Sequence, residues 1–209
     1  MVHCSMRAAL FAAVSSLFAV QSATAAILTF TDPVLYEATV AGMGRATESF
    51  DGLSGASGAV ITGAASGAGL TISWSATSAG GVSVSPFGGS PALTAGSGAA
   101  LTLSNFSVPT MGISGSFFGR NGTPGATSLL LSVTLDDGTT SVSLIDATTG
   151  FVGIFTNSAA TLQSLTLTPQ NGGSLAPVID NLDFAVLPAP SAVALLGLAG
   201  LLGSRRRRA

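Results

Sequence analysis

The sequence predicts an all-β body: an antiparallel two-sheet sandwich, jelly-roll-like, with one short N-terminal helix and a hydrophobic helix closing the chain. Three observations predict it. Short runs in which apolar residues alternate with Ser or Thr recur through the middle of the 209-residue chain, and such alternation marks a strand buried on one side only. Gly, Pro, Asn and Asp punctuate those runs at short intervals, as in sandwiches and barrels. Between the termini only one stretch carries helix signals, and no repeat of fixed period suggests a propeller or solenoid. The chain divides into a signal segment at 1–25, a sandwich body at 26–186 and a tail at 187–209.

Within the body, Ile27 to Thr31 alternates as a short strand. Asp32 and Pro33 then open a helix, because an aspartate at the N-cap accepts the first free amides and proline suits the first helical position. Leu35, Ala38 and Ala41 lie on one side of that helix, up to Gly42. Glu48 to Asp51 reads as another short strand. The stretch Gly52 to Gly69 and most of Ala79 to Gly98 are rich in Ala, Gly and Ser and read as loop. Strands follow at Leu70 to Trp74, Leu101 to Leu103, Leu131 to Leu135, Phe151 to Thr156, Leu162 to Thr168 and Val178 to Val186, about ten in all. Asp137-Gly138 reads as a two-residue hairpin turn, which sets Val133 opposite Val142 and Leu131 opposite Leu144.

Composition excludes much chemistry. Only 8% of residues are charged and lysine is absent, against about 25% charged in an ordinary soluble chain. Between residues 26 and 187 nine acids face only Arg45 and Arg120, so nothing there neutralises a run of phosphates and nucleic acid is not a partner. The single histidine, His3, and single cysteine, Cys4, precede the body. The body therefore has no disulfide, no Cys/His zinc site and no histidine base. No Gly-x-Ser-x-Gly elbow occurs, and a P-loop lacks its lysine. Glu37, Glu48, Asp51 and the aspartates supply carboxylates for a glycosidase pair only if the fold converges two of them. The chain reads as no enzyme.

Few polar residues in the body invite a ligand. Asp180, beside Asn181 and Asp183, is the candidate for a calcium ligand, with an inward carboxylate satisfied by loop amides as the other reading. Asp136-Asp137-Gly138 lacks the remaining ligands of a calcium loop and reads as a turn. Trp74 and Tyr36 are either sugar-stacking platforms or core. Phe117 and Phe118 fall on opposite faces of one strand, one ring in the core and the other outward. A surface of Ser, Thr, Asn and Gly hydrogen-bonds readily with polysaccharide hydroxyls.

The two ends are addresses. Arg7, the apolar stretch Ala8 to Val20, and Ala23-Thr24-Ala25 followed by Ala26 form a secretory signal cut by signal peptidase after Ala25. Met6-Arg7 would itself make a conventional beginning, so either Met1 or Met6 is the start. At the other end Pro188-Ala189-Pro190 precedes the apolar run Ser191 to Gly203 and then Arg205, Arg206, Arg207 and Arg208. That run falls short of the roughly 20 residues that span a bilayer comfortably, so it would make a thin crossing. The arginines would hold the terminus in the cytoplasm.

A proline-flanked tripeptide, a short Leu/Gly/Ala helix and a terminal arginine cluster together resemble the PEP-CTERM sorting signal of Gram-negative bacteria. Ala189 stands where that signal most often has glutamate. The resemblance implies an exosortase as processing enzyme, a transient stay in the inner membrane, and release to the cell surface or matrix among exopolysaccharides. It implies an exported structural or adhesive protein. The alternative is a lectin-like, carbohydrate-binding module.

Overall fold

Alternation of Leu, Ile or Val with Ser or Thr gives strand after strand one apolar side, and the chain buries those sides against each other. The structure, a computed structural model, describes residues 26–120, 128–146, 150–170 and 175–187. The expected signal segment, the Pro188-Ala189-Pro190 motif, the hydrophobic helix and the arginine cluster lie outside the described residues. Among the described residues the strands are β1 Ile27–Phe30, β2 Gly44–Glu48, β3 Ser57–Gly67, β4 Leu70–Phe87, β5 Ser90–Ala95 and β6 Leu101–Ser104. They continue as β7 Thr110–Arg120, β8 Ser128–Leu135, β9 Thr140–Asp146, β10 Phe151–Thr156, β11 Leu162–Pro169 and β12 Ala176–Val186. Helix α1 spans Pro33–Thr39, and a 3-10 turn covers Asp51–Leu53.

The strand order is β1-β10-β7-β12-β2-β3-β4-β6-β11-β8-β9, with β5 pairing both β12 and β4, and the pairings are antiparallel. β2 and β3 share the register pair Thr47 with Ser66, and the ladder folds over at this seam into two layers. The first layer holds β1, β10, β7 and β12 with β2 and β5 at its margin; the second holds β3, β4, β6, β11, β8 and β9. One core cluster draws on both, with Ile113, Phe117, Ile179 and Phe184 from the first and Trp74, Leu103, Leu131 and Leu165 from the second. The result is the expected antiparallel, sandwich-like body.

Helix α1 starts as expected: the Asp32 carboxylate accepts from the Val34 amide at 2.8 Å. Its inward face differs. Leu35, Ala38 and Ala41 are exposed, and Tyr36 and Val40, one turn apart, are buried. The reason lies beneath the helix, where Gly153 leaves a notch. A Cβ there would come within 2.5 Å of the Tyr36 ring, which also meets Phe30 and Phe151 edge-on at 5.8 and 5.9 Å.

Both Ala/Gly/Ser-rich stretches, expected as loop, form strands instead. β3 runs through the first and pairs along β4, and β4 and β5 form a hairpin through the second. Small residues are required in β3, since a Cβ on Gly63 would fall 2.2 Å from the Trp74 ring. The expected strand at Glu48 to Asp51 is displaced: β2 ends at Glu48, and Phe50 turns the chain with φ 63° into the 3-10 turn.

The β8–β9 hairpin forms where expected, with Gly138 at φ 84°, but its register is off by one. Val142 faces Ser132 and Leu144 faces Leu130, rather than Val133 and Leu131. The Leu135 amide donates to the Thr139 carbonyl at 2.8 Å, which makes the loop three residues, Asp136 to Gly138. A one-residue slip moves every side chain to the other face, so Val142 and Leu144 point outward, 57% and 68% exposed.

Candidate functional site: a hydroxyl face and the groove at its end

The strand registers assemble, on the outer face of the second layer, two ranks that cross six strands. One rank reads Thr140, Thr134, Ser164, Ser104, Ser75, Thr62 from β9 to β3; the next reads Val142, Ser132, Thr166, Thr102, Thr77, Val60. All but the two terminal valines carry a hydroxyl, and no charged side chain interrupts them. Neighbouring strands stand about 4.8 Å apart and successive ranks about 6.7 Å, from the spacing of strands and of alternate residues. The hydroxyls bond along the rank, Thr102 with Thr166 at 3.0 Å, and Ser75 donating to the Ser104 carbonyl at 3.3 Å.

Where β6 ends beside β11, near the turn that follows β8, Ser104, Asn105, Phe106, Asp136, Leu162, Gln163 and Ser164 line a shallow groove of about 450 Å³. Ser104 and Ser164 belong to the first rank, so groove and face are continuous. Asn105 turns the chain at φ 57°, and its Nδ2 donates to Ser75 Oγ at 2.8 Å. Phe106 leans edge-on against Phe184 at 5.8 Å and keeps part of its ring open. Asp136 accepts from the Thr161 amide at 2.9 Å and from the Thr161 hydroxyl at 2.8 Å. Those bonds hold its carboxyl below the usual range, the amide bond foremost. A second hollow of about 380 Å³ at Val60, Thr77, Ser78 and Thr102 ends the face on its other side. An amide, two serines, a glutamine and a carboxylate around a partly open ring match the hydroxyls and the C–H face of a sugar.

The outer face of the first layer is built otherwise. Helix α1 covers part of it, sealing Tyr36, Val40, Met111, Phe155 and Ala185 in a second cluster. Burial pushes the Tyr36 hydroxyl up to about 12. Beside it Arg45 donates to both Glu37 oxygens, at 2.7 and 2.9 Å, and to Asp183. The Arg45 hydrogen bond holds the Glu37 carboxyl below its usual range, and Glu37 in turn raises Arg45. Glu37 and Asp183 are thereby brought together around Arg45.

Asp180 lies on this same face, 7% exposed, under the tip of the β4–β5 hairpin. The left-handed Asn181, φ 53°, marks a bulge that keeps Leu182 and Phe184 in the core while Asp180 faces away from it. Strict strand alternation would group Asp180 with Leu182 and Phe184, and the bulge separates them. Asp180 Oδ2 accepts from Ser90 Oγ at 2.8 Å, and Oδ1 has no hydrogen-bond partner. Among the described residues no group of three or more His, Cys, Asp or Glu could hold a metal ion.

Trp74 and Tyr36, the expected alternatives for sugar stacking, are both core, at 1% and 0% exposure. Phe117 is core, while Phe118 faces outward and packs on Phe87 with ring centres 4.4 Å apart. Sequence reasoning missed Phe106, Gln163 and the ranks. Alternation in each strand was visible, but their alignment depends on pairing.

No family model matches the chain, and no curated protein matches it. Among solved structures, a family 29 carbohydrate binding module is similar at 13% identity over 61% of this chain and 90% of that one, with a TM-score of 0.40. CBM29_1, a family 29 carbohydrate binding module from Piromyces equi, is similar at 12% identity over 62% of this chain and 89% of that one, with a TM-score of 0.38. A family two carbohydrate esterase from Cellvibrio japonicus is similar at 17% identity over 64% of this chain and 37% of that one, with a TM-score of 0.35. At TM-scores this low, none of the three carries an argument about this chain.

Proposed function

We propose that this is an exported, non-catalytic surface protein whose jelly-roll-like body holds an uncharged polysaccharide on the outer face of the second layer. The observation that carries the reading is the pair of hydroxyl ranks running into a groove lined by Asn105, Phe106 and Gln163. The ranks offer repeated donors and acceptors at strand spacing and no charge, and the one carboxylate in the groove, Asp136, is bound by Thr161. Affinity would come from many modest contacts along an extended chain rather than from one deep pocket. Calcium is not needed for this mode of binding.

The test is retention on a panel of neutral and acidic polysaccharides. Binding to a neutral polymer, unchanged by chelator and by raising salt from about 50 to about 500 mM, is the expected result, because exposed charge pairs would be screened over that range. Gln163→Ala and the pair Thr102→Val with Thr166→Val should each weaken retention at least tenfold. Retention equal to wild type in all these variants, or no binding across the panel, refutes the reading.

The proposal includes the termini. Signal peptidase would cut after Ala25. The tail would pause in the inner membrane, with Arg205 to Arg208 opposing passage at about 2.5–3.5 kcal/mol each on insertion scales. An exosortase would then act near Pro188-Ala189-Pro190, leaving the body at the cell surface. Among the described residues no helix is long and apolar enough to cross a membrane, and the tail lies outside them. Mass spectrometry of the mature protein should find Ala26 first and no Arg208; intact surface protein ending in Arg208 would overturn the sorting reading.

A further inference from the structure

We infer that β9 is the edge through which two copies of this chain join, antiparallel, into one continuous sheet. β9 ends the strand order, and among the described residues no strand pairs with its outer side. A free edge leaves alternate amides and carbonyls pointing into solvent and is a template for another strand. Natural edges are commonly guarded by a lysine, a proline, a bulge or short length. Thr140 to Asp146 contains neither lysine nor proline, and its one charge is Asp146 at the end; its pairing with β8 runs without a register shift. At the opposite end of the order, β1 is only four residues long.

The exposed side chains select the occupant. The three-residue turn throws Val142 and Leu144 outward, 57% and 68% exposed, with Leu130 beside Leu144. A twofold axis through Ser143 sets Val142 of each copy opposite Leu144 of the other, and Thr140 opposite Asp146. Moving the axis to Leu144 would oppose Val142 to Asp146; moving it to Val142 would oppose Leu144 to Thr140. Axes midway between residues reverse the faces. Ser143 is therefore the centre at which both apolar side chains cover each other, the self-complementarity a twofold contact requires. The axis stands perpendicular to the sheet, so the two hydroxyl faces lie side by side. That last consequence matters only if the polysaccharide reading holds; the pairing does not depend on it.

Cysteine cross-linking tests the register without any polysaccharide, in the full chain with Cys4→Ser. At the axis, Ser143→Cys would place two Cα atoms about 4.5–5.5 Å apart, within disulfide reach. Mild oxidation should convert most of that variant to a covalent dimer, and Ser141→Cys at least tenfold less, since Ser141 would face Ile145 of the second copy. Sedimentation velocity on the unmodified full chain in mild detergent should show a dimer, and Val142→Lys with Leu144→Lys a monomer of unchanged far-UV circular dichroism. Equal cross-linking at both positions, cross-linking at neither, or a monomeric wild type would overturn the inference. A monomeric wild type is the outcome expected if the chain's own tail or a polysaccharide covers β9 instead.

Discussion

The two outer faces of this sandwich are made from the same kind of strand and finished in opposite ways. On the first layer the chain places a helix, a hairpin tip and most of its aromatic and ionic contacts, with Tyr36 sunk over Gly153 and Arg45 bound by Glu37 and Asp183. On the second layer it leaves two ranks of hydroxyls largely open, with only Ser75 buried, beneath Asn105. Stability and recognition are thereby assigned to different sides of the molecule. A face closed by its own chain is shielded from ligands even where a buried oxygen such as Asp180 Oδ1 lacks a partner, whereas an uncharged, hydrogen-bonding face left open is available to a ligand that also carries hydroxyls.

The largest expected effect disrupts the covered face. Tyr36→Ala removes a fully buried ring from a notch that no neighbour can refill, and should lower unfolding stability by about 3–5 kcal/mol, the usual loss for a buried aromatic. Urea denaturation measures it, and polysaccharide retention below the transition should be unchanged. A loss under about 1 kcal/mol, the size of an ordinary surface change or little more, would mean that α1 is not held by that ring.

Gly153→Ala attacks the same notch from below. Its added methyl meets the Tyr36 ring at 2.5 Å, and overpacking of that kind should cost about 1–3 kcal/mol. Equal stability to wild type in thermal melts would show that the helix shifts freely.

Thr102→Val with Thr166→Val probes the contrast from the other side. The pair loses one hydroxyl–hydroxyl bond, so stability should change by only about 0.5–1.5 kcal/mol, while retention on neutral polysaccharide falls. If stability fell and retention did not, the open face would be merely structural.

The smallest effect is titrational. Arg45 lowers the Glu37 carboxyl in the folded state, so its contribution is complete above the unfolded value of about 4.3 and is lost as pH falls through the folded value. Melting temperature measured from about pH 7 downward through that unfolded value should drop more for wild type than for Glu37→Gln. Added salt should narrow the gap because Glu37 is exposed. Parallel curves would show that the ion pair contributes nothing.

How much of this was legible beforehand depended on how far each residue's partner lay along the chain. The start of α1 was legible because Asp32 bonds Val34, two positions away. Its buried face was not, since the notch for Tyr36 is at Gly153. The Ala/Gly/Ser-rich strand β3 carries no propensity of its own, and Gly63 makes sense only beneath Trp74. The β8–β9 hairpin was legible as a pair of strands. Its register was not, because Asp136 is anchored by Thr161, 25 residues on. The groove shows the same limit: Phe106 and Gln163 are ordinary in their own segments and meet only because β6 pairs with β11.

The binding of Arg45 between Glu37 and Asp183 also bears on how the body would fare among secreted proteases. With no lysine between residues 26 and 187, a trypsin-like enzyme has only Arg45 and Arg120 to cut after. Arg120 is exposed at the end of β7, but Arg45 is engaged by both carboxylates and backed by β12. Cleavage there must wait until β2 separates from β12 and β3, so its rate follows that local opening rather than chance encounter. A single nick after Arg45 would therefore serve as a built-in gauge of how often the helix-covered side of the molecule comes apart.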